Sequence, residues 1–280
     1  FGHAGERILS SLYQEHTGRY FNHNVHSVRV LDDMVNWNIS LQTLDGILCH
    51  NGELELKEYR PCEMSTFVEY DKKVEACYVD EKAIGELIPC TLEGCVMRIC
   101  DIIAYLGKDR QDAMRLNLLK ESPFTAGAIG TSNGEIINNF SVNIIENSYG
   151  KDYLKMDEEY FDALRQAKKE NYEMIYNNKS LNDLYENEIR PMFGELYEEL
   201  LRQAESGDKS SVFYRHHMAY MEKNNFYVKS HVRKPYAEQE KNQLVVDYLA
   251  SMTDDYFIAL YHYLFPKGKH DVKFVGYFDL

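Results

Sequence analysis

Residues 91–113, TLEGCVMRICDIIAYLGKDRQDA, predict a helix that carries two aspartates and a tyrosine on one stripe. Asp101, Tyr105 and Asp109 are spaced four residues apart, and at 3.6 residues per turn this spacing stacks them on one helix face. Apolar positions cover most of the remaining circumference; these are Val96, Ile99, Cys100, Ile103, Ala104 and Leu106. We therefore expect a buried helix whose polar stripe faces a cleft.

The same spacing is also typical of solvated helix faces, where charges four residues apart form salt bridges. Two features favour a functional site here. Asp101 lies inside the apolar run ICDIIAY, and the chain begins with FGHAGE, in which His3 and Glu6 lie one helical turn apart. The carboxylate can steer or deprotonate a water while the imidazole contacts an anion, although this pair alone also occurs by chance on many helices.

Composition narrows the class of protein. The 280 residues include 44% apolar residues, enough for a proper core, and 31 Lys and Arg against 45 Asp and Glu give a net charge of -14. This charge disfavours nucleic acid and anionic membranes as partners, so a phosphate-bearing substrate needs a local cluster or metal ions. No apolar run approaches the length of a membrane span and the first residues do not resemble a signal peptide, so we expect a cytoplasmic protein.

The six cysteines contain no CxxC pair. Cys90, Cys95 and Cys100 are five residues apart, which scatters them around a helix. Buried thiols are therefore favoured over zinc binding or disulfides.

Apolar spacing and cap residues predict helices over most of the chain. The stretches are 1–14, 25–34, 40–50, 157–176, 181–204 with a break near Pro191, and 237–265. Asn22 or Asn24 can cap the second helix, and Ser40 or Thr43 can cap the third. Residues 66–70 suggest a short strand, and 271–280 a terminal strand. Without a repeat or linker, we predict one mainly α-helical domain over residues 1–280.

Two further features are open to both structural and functional interpretations. Histidines near the start of the second helix, His23 and His26, can donate to a phosphate. Arg215 and His216, followed by His217, offer an anion contact or form ordinary surface. The tyrosine-rich stripes between 157 and 204 favour core or subunit contact over a cofactor site.

Five blocks in order give the chain a resemblance to a known family. They are FGHAGE, HNVHSVRV, LDGILCHNGE, LEGCVMRICDIIAYLGKDRQDA and VVDYLASMTDDYFIALY, which span Phe1 to Tyr261. The chain resembles the HD-domain deoxynucleoside triphosphate triphosphohydrolases, the dGTPase-like family. The resemblance implies an all-α, HD-superfamily helical domain with minor β structure near the C-terminus. In that family a segment close to HDLGHTP, with the His-Asp pair, precedes FGHAGE, so we expect this chain to start after that pair.

The resemblance implies roles for the retained residues around the phosphates. His3 matches the histidine that contacts the phosphate at which hydrolysis occurs, and Glu6 matches the acidic residue that activates or orients the water. His23 matches a second histidine at the phosphates. Asp101 matches the last of the family's metal ligands, which implies a divalent ion such as manganese or magnesium, with iron or nickel as alternatives.

Sugar recognition is implied on the same helix. Tyr105 matches the tyrosine packed against the deoxyribose, and Asp109 matches the acceptor for the 3′-hydroxyl. Ile102 departs from members with a lysine after the metal-binding aspartate, so Arg215 or His216 is the expected substitute contact to phosphate.

The implied reaction is metal-dependent hydrolysis of a dNTP to the deoxynucleoside and inorganic triphosphate, by a homo-oligomer. Two alternatives stay open at this point. One is a catalytically inactive nucleotide-binding or regulatory protein of the same fold, and the other is an HD phosphodiesterase that acts on another phosphate ester. The base preference is not readable from these residues.

Overall fold

The structure is a computed structural model that describes residues 1–35, 37–51, 55–115, 118–119, 124–224 and 235–272. Its helices are α1 (Gly2–Thr17), α2 (His23–Arg29), α3 (Leu41–Leu48), α4 (Phe67–Val79), α5 (Leu92–Arg115), α6 (Asn133–Ser148), α7 (Glu158–Asn171), α8 (Lys179–Leu184), α9 (Arg190–Ser206), α10 (Ala219–Asn224), α11 (Lys241–Ala250) and α12 (Asp254–Leu264). Within those ranges the β structure is one antiparallel pair, β1 (Glu58–Tyr59) with β2 (Leu154–Lys155). The all-α prediction is confirmed.

Local capping explains where several helices begin. The Asn22 side chain accepts the backbone N–H of Asn24 at 2.9 Å at the start of α2, and the Ser40 hydroxyl accepts that of Thr43 at 3.3 Å at the start of α3. In both cases the first of the two predicted cap residues is used. These side chains satisfy N–H groups that have no partner within the helix.

The short strand predicted at residues 66–70 is wrong, because these residues begin α4. The Glu69 carboxylate accepts the backbone N–H groups of Ser65 and Thr66 at 3.0 Å, and the Thr66 hydroxyl accepts that of Glu69 at 3.2 Å. This is a capping box, and its Thr-x-x-Glu signature outweighs the β-forming residues that suggested a strand. A second capping box, Ser132 with Glu135, starts α6, a helix that the sequence reasoning did not define.

The prediction of one continuous helix over 237–265 is also wrong. The chain forms a short 3₁₀ turn at Tyr236–Glu238, then α11 and α12 as separate helices. Thr253 separates the two helices, because its hydroxyl accepts the backbone N–H of Tyr256 at 3.2 Å and thereby starts α12. The strand predicted at 271–280 lies almost entirely outside the described residues.

The predicted break near Pro191 takes the form of a π-helical turn, Tyr185–Ile189, between α8 and α9. Pro191 lies in the first turn of α9, directly after the π-helical turn, and because it has no N–H it interrupts the helical hydrogen-bond pattern at the predicted position. A second π-helical turn, Tyr172–Tyr176, extends α7 to the end of the stretch predicted there. Each of the two π-helical turns therefore joins its helix, α7 or α9, directly, without a loop between turn and helix.

The chain divides into two compact units. The first comprises Phe1–Asn38, Ala76–Glu81 and Ser180–Leu280, and the second comprises Ile39–Glu75 and Lys82–Lys179. That residues 1–280 form a single functional domain stays a prediction.

The core of the first unit lies between α1, α9, α11 and α12. Buried side chains from each of them pack together, among them Ile8, Leu196, Leu244, Val245, Phe257 and Tyr261. Burial of each such side chain contributes about 1.5–3 kcal/mol relative to exposure. This apolar packing sets the position of α1, on which His3 and Glu6 lie.

A buried ion pair joins α2 to α11 inside the first unit. The Arg29 guanidinium donates from Nε to one Asp247 oxygen and from Nη2 to the other, both at 2.7 Å. Asp247 is fully buried and also accepts from Gln243 and from the Tyr236 hydroxyl, each at 2.9 Å. Burial alone would raise the pKa of Asp247, but the Arg29 charge and its hydrogen bonds outweigh this and hold that pKa below its usual range.

In the second unit, α5 packs against α3, α6 and α7. Two glycines of α5 allow close approach: a Cβ on Gly94 would lie 2.6 Å from the Pro89 side chain, and one on Gly107 would lie 2.7 Å from the Asn133 backbone. The buried face of α5 includes Ile99, Ile103 and Leu106, as predicted. These contacts fix the rotation of α5 and therefore which of its residues face outward.

The prediction that Val96, Cys100 and Ala104 are buried is wrong, because all three are exposed, Val96 by 44%. The elements that pack on α5 contact the opposite side of the helix, so its apolar circumference is wider than its buried face. Of the cysteines, Cys49, Cys77 and Cys95 are buried as predicted, whereas Cys62 and Cys90 are half-buried and Cys100 is exposed. None of the helices described combines the length and apolar character that a membrane crossing requires.

We predict that Asp247→Asn destabilises the protein by about 3–5 kcal/mol at pH 7, because it leaves the Arg29 charge buried without its partner. Since the pKa of Asp247 is lower in the folded chain than in the unfolded chain, this stabilisation is present above the pKa of about 4 of an unfolded aspartate and is lost as the pH falls below it. The difference between wild type and variant in urea-induced unfolding should therefore shrink at acidic pH.

Asp33→Asn is the matched control. Asp33 contacts the same guanidinium at 3.2 Å, but its side chain is 24% exposed, so its loss should cost less than about 1 kcal/mol. Equal effects of the two substitutions, or a difference that does not depend on pH, would contradict the assigned role of Asp247.

Candidate active site

The N-terminal turn of α1 carries a carboxylate that is shared by two histidines. Glu6 Oε2 lies 3.0 Å from His3 Nδ1, one helical turn earlier, and Glu6 Oε1 lies 2.8 Å from His23 Nδ1. The backbone N–H of His23 also donates to Glu6 Oε1 at 2.7 Å. Because His23 is the first residue of α2, Glu6 both positions its ring and satisfies one of the N–H groups at the start of that helix.

Burial and exposure differ within this cluster in a way that suits ligand contact. The Glu6 side chain is only 16% exposed, whereas His3 is 57% and His23 is 38% exposed. Burial alone would raise the pKa of Glu6, but the hydrogen bonds from His23 and His3 outweigh it and hold that pKa well below its usual range. The cluster therefore consists of an ionised carboxylate beneath two accessible imidazoles.

His3, Glu6 and His23 are also the one group of three metal-ligating side chains in the described ranges whose ligand atoms all lie within 4.8 Å of one another. Two imidazole nitrogens and a carboxylate oxygen are suitable ligands for a divalent transition metal. The Nδ1 atoms and the carboxylate oxygens are already hydrogen-bonded to each other, so an ion bound through these atoms would have to replace those bonds.

The polar stripe of α5 lies in the second unit. Asp101, Tyr105 and Asp109 are all half-buried and lie along the border between the buried and the exposed faces of the helix. Their stacking follows from the helical spacing of four residues. A carboxylate, a ring and a second carboxylate therefore line one edge of α5.

Tyr176 is a residue of this region that sequence reasoning missed. Its hydroxyl donates a hydrogen bond to Asp109 Oδ2. Burial, followed by the hydrogen bond to the Asp109 carboxylate, raises the pKa of Tyr176, so the phenol is a hydrogen-bond donor at neutral pH. No spacing pattern could have linked Tyr176 to Asp109, since the two lie 67 residues apart.

Asp101 is the residue of α5 that is expected to hold a metal ion. Within the described ranges, Asp101 is not part of a group of three His, Cys, Asp or Glu side chains with converging ligand atoms. One carboxylate does not complete the coordination of a divalent ion, which takes several oxygen or nitrogen ligands. The described residues of this chain therefore do not by themselves form a metal site at Asp101.

Arg215 and His216 lie in the first unit, in a π-helical turn formed by Tyr214–Met218. Both are exposed, whereas the neighbouring His217 is buried and bonds to the Tyr236 hydroxyl at 2.7 Å. His216 Nδ1 lies 2.7 Å from the Tyr256 hydroxyl, which orients its ring. An anion contact by Arg215 or His216 stays a prediction.

The comparisons with known proteins agree with one another in the kind of protein that they find. The sequence model of the phosphohydrolase-associated domain matches residues 154–263. A deoxyguanosinetriphosphate triphosphohydrolase-like protein of Caldanaerobacter subterraneus subsp. tengcongensis is 25% identical over 95% of this chain and 63% of its own length. The protein of the same description from Clostridium tetani is 25% identical over 95% of this chain and 65% of its own length.

A shorter stretch is more similar to a further relative. A deoxyguanosinetriphosphate triphosphohydrolase-like protein of Rhodopseudomonas palustris strain BisB5 is 32% identical over 46% of this chain and 34% of its own length. No solved structure matches the chain significantly. The chain spans 63–66% of the length of the first three of its curated relatives. The family model and these relatives support the assignment of the chain to the dGTPase-like HD family.

Proposed function

We propose that this chain is part of a metal-dependent phosphohydrolase that converts a dNTP to the deoxynucleoside and inorganic triphosphate. The names of its relatives support a phosphohydrolase of the HD family, and dGTP is the substrate that those names contain. The observation that carries the proposal is the ionised Glu6 carboxylate held between His3 and His23.

The chemistry of this cluster follows from the hydrogen bonds. An ionised carboxylate can only accept, so the Nδ1 atoms of both rings carry protons and donate to Glu6. A proton bound at the Nε2 atom of either ring then makes an imidazolium, which can donate to a phosphate oxygen. Because the pKa of Glu6 is so low, the carboxylate is a weak base, and its role is to orient the rings and the attacking water.

Sugar recognition is assigned to α5. The Tyr105 ring would pack on the deoxyribose and leave little room for a 2′-hydroxyl, and Asp109 would accept from the 3′-hydroxyl. The Tyr176 hydroxyl already donates to Asp109, yet a carboxylate has several lone pairs and can accept a second donor. Tyr176 would therefore fix the Asp109 carboxylate in the orientation that receives the sugar.

Asp101 would supply one oxygen ligand to a divalent ion, manganese or magnesium by the chemistry of the donor, with iron or nickel as alternatives. Such an ion neutralises charge on a phosphate when bound. Homo-oligomerisation is proposed from the family resemblance alone, and so is a contact from Arg215 or His216 to phosphate.

A second candidate function is nucleotide binding without turnover. The two functions differ in the fate of bound dNTP.

The direct test is to incubate the purified chain with dGTP and manganese and to separate the products by ion-exchange chromatography. The proposed function predicts deoxyguanosine and inorganic triphosphate in equal amounts, with GTP as the matched poor substrate. Release of phosphate or pyrophosphate would contradict the reaction, and binding of dGTP without products would support the second candidate.

Glu6→Gln tests the cluster. The neutral amide cannot accept from both rings as the carboxylate does, so kcat should fall by about 10²-fold or more. Glu15→Gln is the control, since Glu15 is exposed on the same helix and should leave kcat unchanged. Steady-state kinetics at neutral pH give both values, and an active Glu6→Gln enzyme would remove Glu6 from the mechanism.

Tyr105→Ala tests sugar recognition. Loss of the ring should reduce the ratio of kcat/KM for dGTP to that for GTP by about tenfold, because a few kcal/mol at most separate ligands that differ by one hydroxyl in a packed site. Lys108→Ala, an exposed position on α5, is the control. An unchanged dGTP to GTP ratio would count against the packing role of Tyr105.

A further inference from the structure

The second unit contains a buried carboxylate, that of Asp45, which lies next to two cysteines, Cys49 and Cys90. Asp45 is fully buried; its Oδ1 accepts from the Lys73 ammonium at 2.7 Å and lies 3.6 Å from the Cys49 sulfur. Its Oδ2 accepts the backbone N–H of Cys90 at 2.6 Å. Asp45 therefore holds the segment of Cys90 just before α5 begins.

The segment that carries Cys62 is bonded to the same region. The backbone N–H of Cys62 donates to the carbonyl of Pro89 at 2.9 Å. Standard backbone geometry then places the α-carbons of Cys62 and Cys90 roughly 5–6.5 Å apart, because Cys90 directly follows the accepting carbonyl. Disulfide-linked cysteines have α-carbons about 4.4–6.8 Å apart, so this pair meets the main geometric requirement.

The two thiols also approach a common set of atoms. The Cys62 sulfur donates to the Ile88 carbonyl at 3.2 Å, and the Lys73 ammonium donates to the same carbonyl at 2.7 Å. The Cys90 thiol is hydrogen-bonded to Asp45, the other partner of that ammonium. Both cysteines are half-buried, so a small oxidant can reach them, whereas Cys49 is fully buried.

We propose that Cys62 and Cys90 are a redox modification site that forms a reversible disulfide with a disulfide oxidant such as oxidised glutathione. One thiolate attacks a sulfur of the oxidant, forms a mixed disulfide and expels one glutathione thiolate. The second cysteine then attacks the protein sulfur of that mixed disulfide and expels the other glutathione. Two protein thiols are thus oxidised to one disulfide, glutathione disulfide is reduced to two glutathione thiols, and the two protons lost by the protein thiols are taken up by the expelled glutathione thiolates.

Two physical consequences follow. Burial, together with the hydrogen bond to Asp45, raises the pKa of Cys90 to about 11, so little of its thiolate exists at neutral pH and the exchange is slow. The bond would close the loop from 62 to 90 and tie it to the start of α5, which restricts the unfolded chain. The oxidised protein should therefore unfold at a temperature several degrees higher than the reduced protein.

The test is to equilibrate the chain in glutathione buffers of increasing oxidation, quench with acid, alkylate, and map peptides by mass spectrometry without reduction. In wild type we expect a cross-linked peptide pair joining Cys62 and Cys90, a fall from six alkylated thiols to four, and full reversal by dithiothreitol. Cys100→Ser, which removes an exposed thiol, should behave like wild type.

Cys62→Ser and Cys90→Ser should each lose the cross-link and the rise in unfolding temperature, and retain at most a glutathione adduct on the remaining cysteine. Glutathione adducts without a cross-link in wild type would overturn the proposal. A cross-link of Cys90 to Cys49 or Cys95 would also overturn it, and so would thiols that stay reduced throughout. Since wild type carries the decisive readout, the result does not depend on how well the variants fold.

Discussion

The bidentate pair between Arg29 and Asp247 is the interaction on which the first unit depends. Neither charge is tolerable alone in a buried site, so the position of α2 relative to α11 is fixed by the need to satisfy both. His23 lies at the other end of α2 from Arg29. The ion pair therefore holds the helix whose first residue completes the cluster with His3 and Glu6.

The second unit also contains a buried carboxylate that needs hydrogen-bond partners, that of Asp45. This carboxylate accepts hydrogen bonds from the Lys73 ammonium and from the backbone N–H of Cys90, which fix the segment just before α5. The close contact of Gly94 with Pro89 then seats the first turns of that helix. In both units a buried acid anchors an element whose outward-facing residues carry the proposed chemistry, and stability and function are thus physically linked.

Much of this arrangement could be predicted from the sequence, for specific reasons. The helical period alone gave α1, α5 and α7, and the spacing of His3 with Glu6 correctly indicated a contact within one turn. The sequence also contains the capping-box signatures at Thr66 and Ser132. The first begins α4, which the β-forming residues wrongly predicted as a strand, and the second begins α6, for which no bounds were predicted. The exposure of Val96 was not predictable, because helical periodicity shows which face is apolar and not which elements cover it.

Local sequence patterns do not predict contacts between residues that are distant in the sequence. The bond between Tyr176 and Asp109, the hydrogen bond from Cys62 to Pro89 and the pairing of Arg29 with Asp247 all depend on tertiary packing. Helical patterns singled out His23 only as one of two histidines near a helix start, and its place at the phosphates came from the family resemblance. Its contact with Glu6 needed the fold, which brings the start of α2 to the first turns of α1.

In the proposed site, Glu6 accepts from the protonated Nδ1 atoms of His3 and His23, so that both rings can contact a phosphate. The most direct measurement is nitrogen-detected NMR of the histidine rings, titrated with inorganic triphosphate and assigned with His3→Gln and His23→Gln. We expect both rings to carry the Nδ1 proton and their Nε2 signals to shift on titration, while the buried His217 does not respond. Rings protonated only at Nε2, or signals of His3 and His23 that ignore triphosphate, would contradict it.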